Sequence, residues 1–538
     1  MSLSLARSLR PALRAARMPA RAASSSSRSS APHRLPHTAR LLAAAALGVG
    51  ATFLALSDTA AADAVTKAPK AAAGSIASGG KISLAQLAKH SHSKSLWVAV
   101  DGKVYDVTDF LERHPGGSKI LAENGGKDVS KLFHSIHPPT TLDKYIRPDQ
   151  FVGKLDEEAL YTLSKETSEE EQRIQATRDA MFGINSVVSL SDLERLAEAV
   201  VPRHAWAYYS TGADTEAALA ENANAFKRVY FRPRTMRDVS NTDTSTTVLG
   251  VKSSIPVYIS PTARNGMGHP EGEIAVARGA GGAGVLQVLS HYASKSLDEV
   301  KAAARDGQQI GYQLYLQPDR EKSAEAVREA VANGAHSIWL TIDTTILGKR
   351  ESERRIHAQE LSPAPHGQPL NRAPLDYGMS EPKMTWDDIA WIRSLAPGLP
   401  VVLKGVGAWE DVVLAYQKGA DAVVLSNHGG RQLDYAQPPL KTLYDVNQHA
   451  PDTLRQPNFS VFLDGGVRHG TDVLKALCLG AKAVGLGRPA IHAVSAYGSE
   501  GVEKMVMILQ EEIDIGMKLL GVTRVDQLGP EYLDTSKL

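Results

Sequence analysis

Between residues 255 and 490 the chain alternates short, wholly apolar runs with longer stretches whose apolar positions recur at helical spacing. Eight runs stand out: "IPVYISP" at 255, "GVLQVLS" at 284, "IGYQLYL" at 310, "SIWLTID" at 337, "PVVLKGV" at 400, "DAVVLSNH" at 421, "SVFLDGGV" at 460 and "AVGLGRP" at 483. Eight buried strands alternating with helices predict a parallel (β/α)8 barrel. An open doubly wound sheet is the alternative, but no GxGxxG opens a βαβ unit where that fold needs one. Earlier in the chain the period is different. "SLWVAVDGKVYDVTDF" alternates apolar and polar residues about Asp101-Gly102, which predicts a hairpin, and a short helical stretch then stops at His114-Pro115-Gly116-Gly117. Helical periodicity returns at "SLSDLERLAEAVV", with Ser191 and Glu194 spaced as a capping box.

A chain of 538 residues exceeds one ordinary core, and its parts differ in composition. Residues 1–57 hold eight arginines, no lysine and no acidic residue, the composition of a mitochondrial transit peptide. "LLAAAALGVGATFLAL", residues 41–56, is short for a bilayer span of about 20 residues. The two together resemble a bipartite presequence for the mitochondrial intermembrane space; a retained anchor is the alternative. Residues 58–80 read as a flexible alanine- and glycine-rich tether, 81–155 as a small domain, 156–188 as a charged linker and 189–538 as the barrel domain. Without the leader, 52 basic residues face 59 acidic ones, a net charge of −7. Nucleic acid is therefore not an expected partner, whereas a basic protein is permitted. The single cysteine, Cys478, excludes an intrachain disulfide and a thiolate metal cluster.

In a (β/α)8 barrel, chemistry gathers at the C-terminal ends of the strands. Those ends carry Ser260 and Thr262, Ser290, Gln313 and Tyr315, Thr341 and Asp343, Lys404, Ser426 and His428, Asp464 and Arg468, and Gly487 and Arg488. Any one could simply be a rim residue. As a set they contain an acid/base pair, a lysine and two arginine-bearing glycine turns on strands seven and eight, where barrels commonly hold phosphate. A phosphorylated cofactor is the expected ligand. "SNHGGRQLD" places a titratable histidine and a carboxylate-gripping arginine, Arg431, on one loop. In the small domain, His114 and His137 both stand beside prolines, with His134 three residues before the second.

"HPGG" after "DGKVYDVTDF" resembles the cytochrome b5 family. The resemblance implies a haem b whose iron is clamped by His114 and His137, with His134 the local competitor for the second position. Two imidazole ligands leave no open site, so such a centre passes single electrons. "SNHGGRQLD", "FLDGGVRHGTDVLKALCLGAKAVGLGRP", "LTIDT" with "LGKRE", and "YYSTGAD" are similar to the FMN-dependent 2-hydroxy acid oxidising family. That resemblance implies an FMN-binding (β/α)8 TIM barrel behind a small α+β haem domain. It assigns His428, Asp343 and Tyr315 to catalysis, and Tyr208, Tyr315, Arg350, His428 and Arg431 to substrate binding. FMN is assigned to Ser260, Pro261, Thr262, Ala263, Ser290, Gln313, Thr341, Lys404, Asp464, Gly465, Gly466, Val467, Arg468, Gly487 and Arg488. Ala263, Tyr292 and Leu347 are left to choose the substrate's third substituent. The implied activity is oxidation of an L-2-hydroxy acid, L-lactate foremost, with electrons passing from FMN to haem and on to cytochrome c, in a homotetramer. Another hydroxy acid such as glycolate or mandelate, a peroxide-forming oxidase, and a haem-binding scaffold on an inactive barrel are the alternatives.

Overall fold

The computed structural model describes residues 80–114, 118–138, 140–165, 168–360 and 380–538. The sequence of residues 352–383, with its several prolines, also predicts a long loop after strand four; residues 361–379 of it, the expected presequence and nearly all of the tether lie outside the described residues.

The small domain is a five-stranded sheet ordered Gly80–Ile82, Phe151–Leu155, Lys103–Asp106, Ser95–Val100, Ser91–His92, so its first and last strands meet side by side in parallel. Its central hairpin turns at Asp101 and Gly102, both left-handed with φ of 50° and 72°, as the two-residue turn requires. Alternation along Ser95–Val100 makes two faces. Trp97 and Ala99 pack with Ile82, Leu87, Val104, Leu155 and Ala159 into a closed core. Leu96, Val98 and Val100 face the other way, against Phe110, Leu121, Phe133, Leu142 and Ile146, which stay only half-buried. Apolar side chains half-covered along one face mark a cavity rather than a finished core.

The segment expected as a charged linker is mostly helical, in Glu157–Lys165 and Glu169–Asp179. Arg173 of the second helix donates to the carbonyls of Ala199 (2.6 Å) and Val201 (2.9 Å), capping the helix Leu190–Val200. At the other end of that helix the capping box is Ser189 with Asp192, not Ser191 with Glu194. Ser189 has the extended backbone a cap needs (φ −147°, ψ 161°), whereas Ser191 already lies inside the helix. Glu194 is thereby free to face Arg468 at 3.8 Å.

All eight expected strands form, and they close into a parallel barrel: Val257–Ile259, Leu286–Leu289, Ile310–Leu314, Ile338–Thr341, Val401–Val406, Ala422–Leu425, Ser460–Asp464 and Ala483–Leu486, the last pairing with the first. Tyr258, Trp339 and Phe462 fill the barrel interior, with the Trp339 and Phe462 rings stacked at 6.0 Å, so the barrel is a packed core. The hairpin of Thr246–Val248 and Val251–Ser253 adds Val248 to that core. A helix, Glu351–Glu360, occupies the start of the stretch expected as a loop over 352–383; Ile356 and Ala358 are its only apolar residues, too few for the stripe that would announce it. No helix among the described residues is long and apolar enough to cross a membrane.

Candidate active site

The sixth barrel strand ends at Leu425, and the chain then passes through three consecutive left-handed residues: His428, Gly429 and Gly430, with φ of 59°, 65° and 77°. Two of the three are glycines because a side chain there is strained. Gly430 also passes so close to the helix Ala217–Lys227 that a Cβ would lie 2.5 Å from the Leu219 backbone. Asn427 fixes the turn by accepting from the Gly430 N–H (3.0 Å) and exchanging two amide hydrogen bonds with Asn222 (2.8 and 2.7 Å). The coil delivers Arg431 to the carbonyls of Tyr208 (2.7 Å) and Thr211 (2.9 Å), which pins the helix Arg203–Ser210 across the barrel mouth.

His428 Nδ1 lies 2.9 Å from Asp343 Oδ1, at the end of the fourth strand, and Thr344 donates to the same oxygen at 3.0 Å. With Nδ1 held by the carboxylate, Nε2 is the atom turned toward Tyr315, whose hydroxyl is 3.5 Å away. Burial lowers the pKa of His428, an effect the Asp343 charge only partly offsets, so the imidazole is neutral at neutral pH. Burial also works against the charge on Asp343, but His428 and Lys404 outweigh it and hold the carboxyl below the ordinary carboxylate value. Among the described residues Asp343 Oδ2 has no hydrogen-bond partner. Behind it, Gly405 adopts φ of 110°, and a Cβ would sit 2.6 Å from the Asp343 side chain. Gly405→Ala is therefore expected to destabilise the fold by more than about 1 kcal/mol and to slow turnover by displacing Asp343. Thermal unfolding together with kcat checks this; wild-type values for both would refute it.

Two further cations, Arg431 and Arg350, lie 5.0 and 5.9 Å from the centre of the Tyr208 ring. Burial, then the neighbouring Arg350 charge, pushes Arg431 down to about 10. Arg350 faces Glu353 at 3.7 Å, but its Nε is buried with no hydrogen-bond partner among the described residues. Crowded guanidinium groups with an orphaned donor are suited to a small carboxylate.

Toward strands five to eight, buried Lys404 contacts Asp464 (3.2 Å) and Ser426 (3.2 Å). Burial opposes its charge, yet Asp464 and Asp343 win and raise its pKa. After the seventh strand, Gly465 and Gly466 are left-handed, and a Cβ on Gly466 would lie 2.1 Å from the Asn222 carbonyl oxygen. Arg468 follows. Arg488, first residue of the helix Arg488–Leu520, donates to the carbonyls of Tyr209, Gly429 and Thr211 at 2.9 to 3.0 Å. Burial, then Arg431 and Arg468, pushes Arg488 down to about 9. Two desolvated arginines beside glycine turns and a helix N-terminus fit a phosphate, and Lys404 at the other end fits a ring that takes up negative charge. Residues 260–263, Ser290, Lys404, 464–468, Gly487 and Arg488 line one cavity of about 970 Å³. Gln313 and Thr341 do not line it. They lie fully buried one layer back, Gln313 accepting from Ser290 and the His291 N–H and donating to Thr341.

The same cavity reaches His114 and His137. Their ring centroids are 6.1 Å apart, which leaves room for a metal bound to each nitrogen at about 2 Å. His137 Nδ1 is directed at the Phe133 carbonyl (3.3 Å), so Nε2 is the ligating atom on offer. Burial, then His114, pushes its pKa down to about 4 and keeps it in the neutral form that ligates. His134 instead pairs with Asp101 at 2.9 Å on the surface. With apolar walls from Val98, Phe110, Leu121, Phe133 and Ile146, the residues present fit a haem.

Sequence reasoning missed Thr344 and Asn222, which steady the acid/base loop from distant parts of the chain. It also missed Glu273, the first residue of the helix Glu273–Ala283. Glu273 is fully buried and accepts from the backbone N–H groups of Asn265 (3.0 Å) and Ser294 (3.1 Å), tying together the loops after strands one and two. A glutamate opening a helix normally reads as a dipole contact at the surface, so no sequence signal marked it.

A barrel with this acid/base pair and phosphate end defines a flavin-dependent dehydrogenase, and the comparisons agree. Residues 197–535 match the FMN-dependent dehydrogenase family and residues 83–156 the cytochrome b5-like haem/steroid binding domain; the chain belongs to the FMN-dependent dehydrogenases, with FMN and haem b as its cofactors. It is 42% identical over 459 residues to L-lactate dehydrogenase (cytochrome) of Wickerhamomyces anomalus, covering 84% of this chain and 79% of that one. It is 40% identical over 475 residues to the Saccharomyces cerevisiae enzyme of the same name, covering 85% and 80%. Spinach (Spinacia oleracea) glycolate oxidase is 38% identical over 64% of this chain and 95% of its own. Among solved structures, a flavocytochrome b2 mutant with sulfite bound superposes with a TM-score of 0.64 at 40% identity, over 69% of this chain and 92% of that one.

Proposed function

We propose that the protein oxidises L-lactate to pyruvate and passes the electrons singly, through its haem, to cytochrome c. The observation that carries this reading is that the His428–Asp343 pair and the two facing histidines open onto one cavity. Arg431 and Arg350 hold the substrate carboxylate. His428 Nε2 takes a proton from the substrate, and Asp343 stabilises the imidazolium that forms. Tyr315 and Tyr208 contribute hydroxyl hydrogen bonds near the reacting carbon. When bound, FMN would supply the acceptor for the two electrons and the second proton of the acid, and the haem held by His114 and His137 would pass the electrons on one at a time. Lys404 balances the negative charge this brings to the flavin site.

Ala263, Tyr292 and Leu347 line the cavity and are the residues that would bound the third substituent. Tyr292 is stacked on Tyr315 at 5.2 Å, which favours a methyl group over a phenyl ring. kcat/KM for lactate, glycolate, 2-hydroxybutyrate and mandelate tests this, with overlap expected because one methylene changes discrimination by only about 1–3 kcal/mol. A preference for mandelate in the unmodified protein would sink the lactate assignment while leaving the chemistry. Peroxide as the main product would instead favour an oxidase. The arginine-rich leader supports a mitochondrial protein, sorted to the intermembrane space. Exposed Met507, Ile515 and Leu519 on the helix Arg488–Leu520 support assembly into the homotetramer that the family resemblance implies.

The pH dependence follows from His428. A base acts only when neutral, and its pKa is lowered, so kcat/KM should rise with pH through an apparent pKa below about 6.5 and be flat at neutrality. Asp343→Asn removes the charge that helps keep a proton on His428, so the acid limb should move to still lower pH while the maximal rate falls. A limb that moves upward in Asp343→Asn would contradict the pairing.

A further inference from the structure

The loop after the first barrel strand carries a cation that this chemistry leaves unused. Arg264 is left-handed, with φ of 59°, and is held at both backbone ends: its N–H donates to the Tyr292 carbonyl (3.2 Å), and its carbonyl accepts from the Tyr209 hydroxyl (2.6 Å). The next two residues are clamped through Glu273, which accepts from Asn265 N–H and from the Ser294 hydroxyl (2.6 Å); that hydroxyl accepts from Gly266 N–H (2.8 Å). Gly266 lies against the helix Ser130–Ile136 of the small domain, where a Cβ would come within 2.7 Å of the Ser135 carbonyl oxygen, two residues before His137. Ile136 packs beside Tyr208 and Met267 at the same seam. Arg264 is thus presented from a rigid turn where barrel and small domain meet.

Its guanidinium lies 5.4 Å from the centre of the Tyr208 ring, lines the cavity that His114 and His137 share, and is one of the charges felt by His137. Three other cations around that cavity face carboxylates: Lys404 faces Asp464 at 3.2 Å, Lys144 faces Glu329 at 3.7 Å and Arg468 faces Glu194 at 3.8 Å, while Arg431 and Arg488 donate to backbone carbonyls. Among the described residues no carboxylate lies within 4 Å of the Arg264 guanidinium. An arginine whose backbone is held this firmly, with no carboxylate partner and sharing a cavity with the apolar walls Val98, Phe110 and Leu121, is suited to a planar carboxylate.

We propose that Arg264 is a haem-binding residue supplied by the barrel, its guanidinium taking one of the carboxylates of the haem held between His114 and His137. This rests on the haem site above. One side chain then touches both the haem edge and Tyr208, so occupancy of the small domain is tied to the order of the barrel mouth. Because reduction adds an electron to the haem, a cation at its edge also raises its potential.

The test uses the full chain carrying both cofactors. Arg264→Gln should release haem to an apo-globin acceptor on the order of tenfold faster and shift the haem midpoint potential downward, and Arg264→Lys should recover part of both. Wild-type protein reconstituted with haem dimethyl ester, which lacks the free carboxylates, should release it faster than haem, and Arg264→Gln should add little to that loss. Wild-type release and potential in Arg264→Gln, or an ester bound as tightly as haem, overturns the proposal. A raised KM for the hydroxy acid with unchanged haem release also overturns it, since the cation would then serve the substrate. Absence of a bis-histidine haem spectrum in the unmodified protein would fail the haem site itself, a result distinct from these.

Discussion

His428→Gln should lower kcat for the hydroxy acid by about 10²–10⁴-fold while FMN stays bound. The separation follows from where the parts sit. On the reading proposed above His428 acts through Nε2, on the side of Tyr315, whereas Gly465, Gly466, Arg468 and Arg488, which follow strands seven and eight, line the part of the cavity assigned to the phosphate. Glutamine preserves size and a polar tip but cannot take the proton, and it forfeits the charge that Asp343 would stabilise. His428 has an unusual backbone for a side-chain-bearing residue, φ of 59°, and glutamine inherits the same strain, so the backbone cost is shared by both proteins. Asp343→Asn should give a smaller loss, because the base survives but its cation is no longer stabilised. Flavin absorbance reports cofactor retention, and anaerobic stopped-flow with the acid reports the chemical step. Near-normal turnover in His428→Gln would remove it from the reaction.

What could be read from the sequence follows from physics that is local. Parallel barrel strands are buried on both faces, so "DAVVLSN" and "SVFLDGG" stand out as apolar runs whatever surrounds them. His428, Asp343, Lys404 and Arg488 could be placed at one end of the barrel because its topology gathers strand ends there, and the roles proposed for them come from the family motifs. Errors arose where two local readings competed or where partners are far apart. Ser189 with Asp192 and Ser191 with Glu194 have the same spacing, and only backbone geometry decides which serine is the cap. The helix Glu351–Glu360 has no apolar stripe to reveal it. Asn222 and Asn427 meet across 205 positions, and Glu273 looks like any acidic helix start until its burial is known. Arg264 is of the same kind: its importance comes from a seam between two domains that no single stretch encodes.

His137→Ala should abolish the low-spin haem spectrum and with it cytochrome c reduction, because one imidazole cannot supply both axial ligands. His114→Ala should do the same. The acid should still be oxidised when an artificial acceptor replaces cytochrome c, since His428, Asp343, Arg431 and Lys404 are contributed wholly by the barrel. His134→Ala is the control that discriminates. His134 is paired with Asp101 on the surface, beside the hairpin turn, and its loss should leave the haem spectrum unchanged. The alanine at 137 also removes the stack on Phe133, at 4.7 Å, so some loosening of the helix Ser130–Ile136 is expected in addition. Imidazole added to the medium separates the two effects: it can refill the ligand position but not the packing, so partial recovery of the haem spectrum assigns the loss to ligation. If His134→Ala loses the spectrum and His137→Ala keeps it, the second ligand is His134.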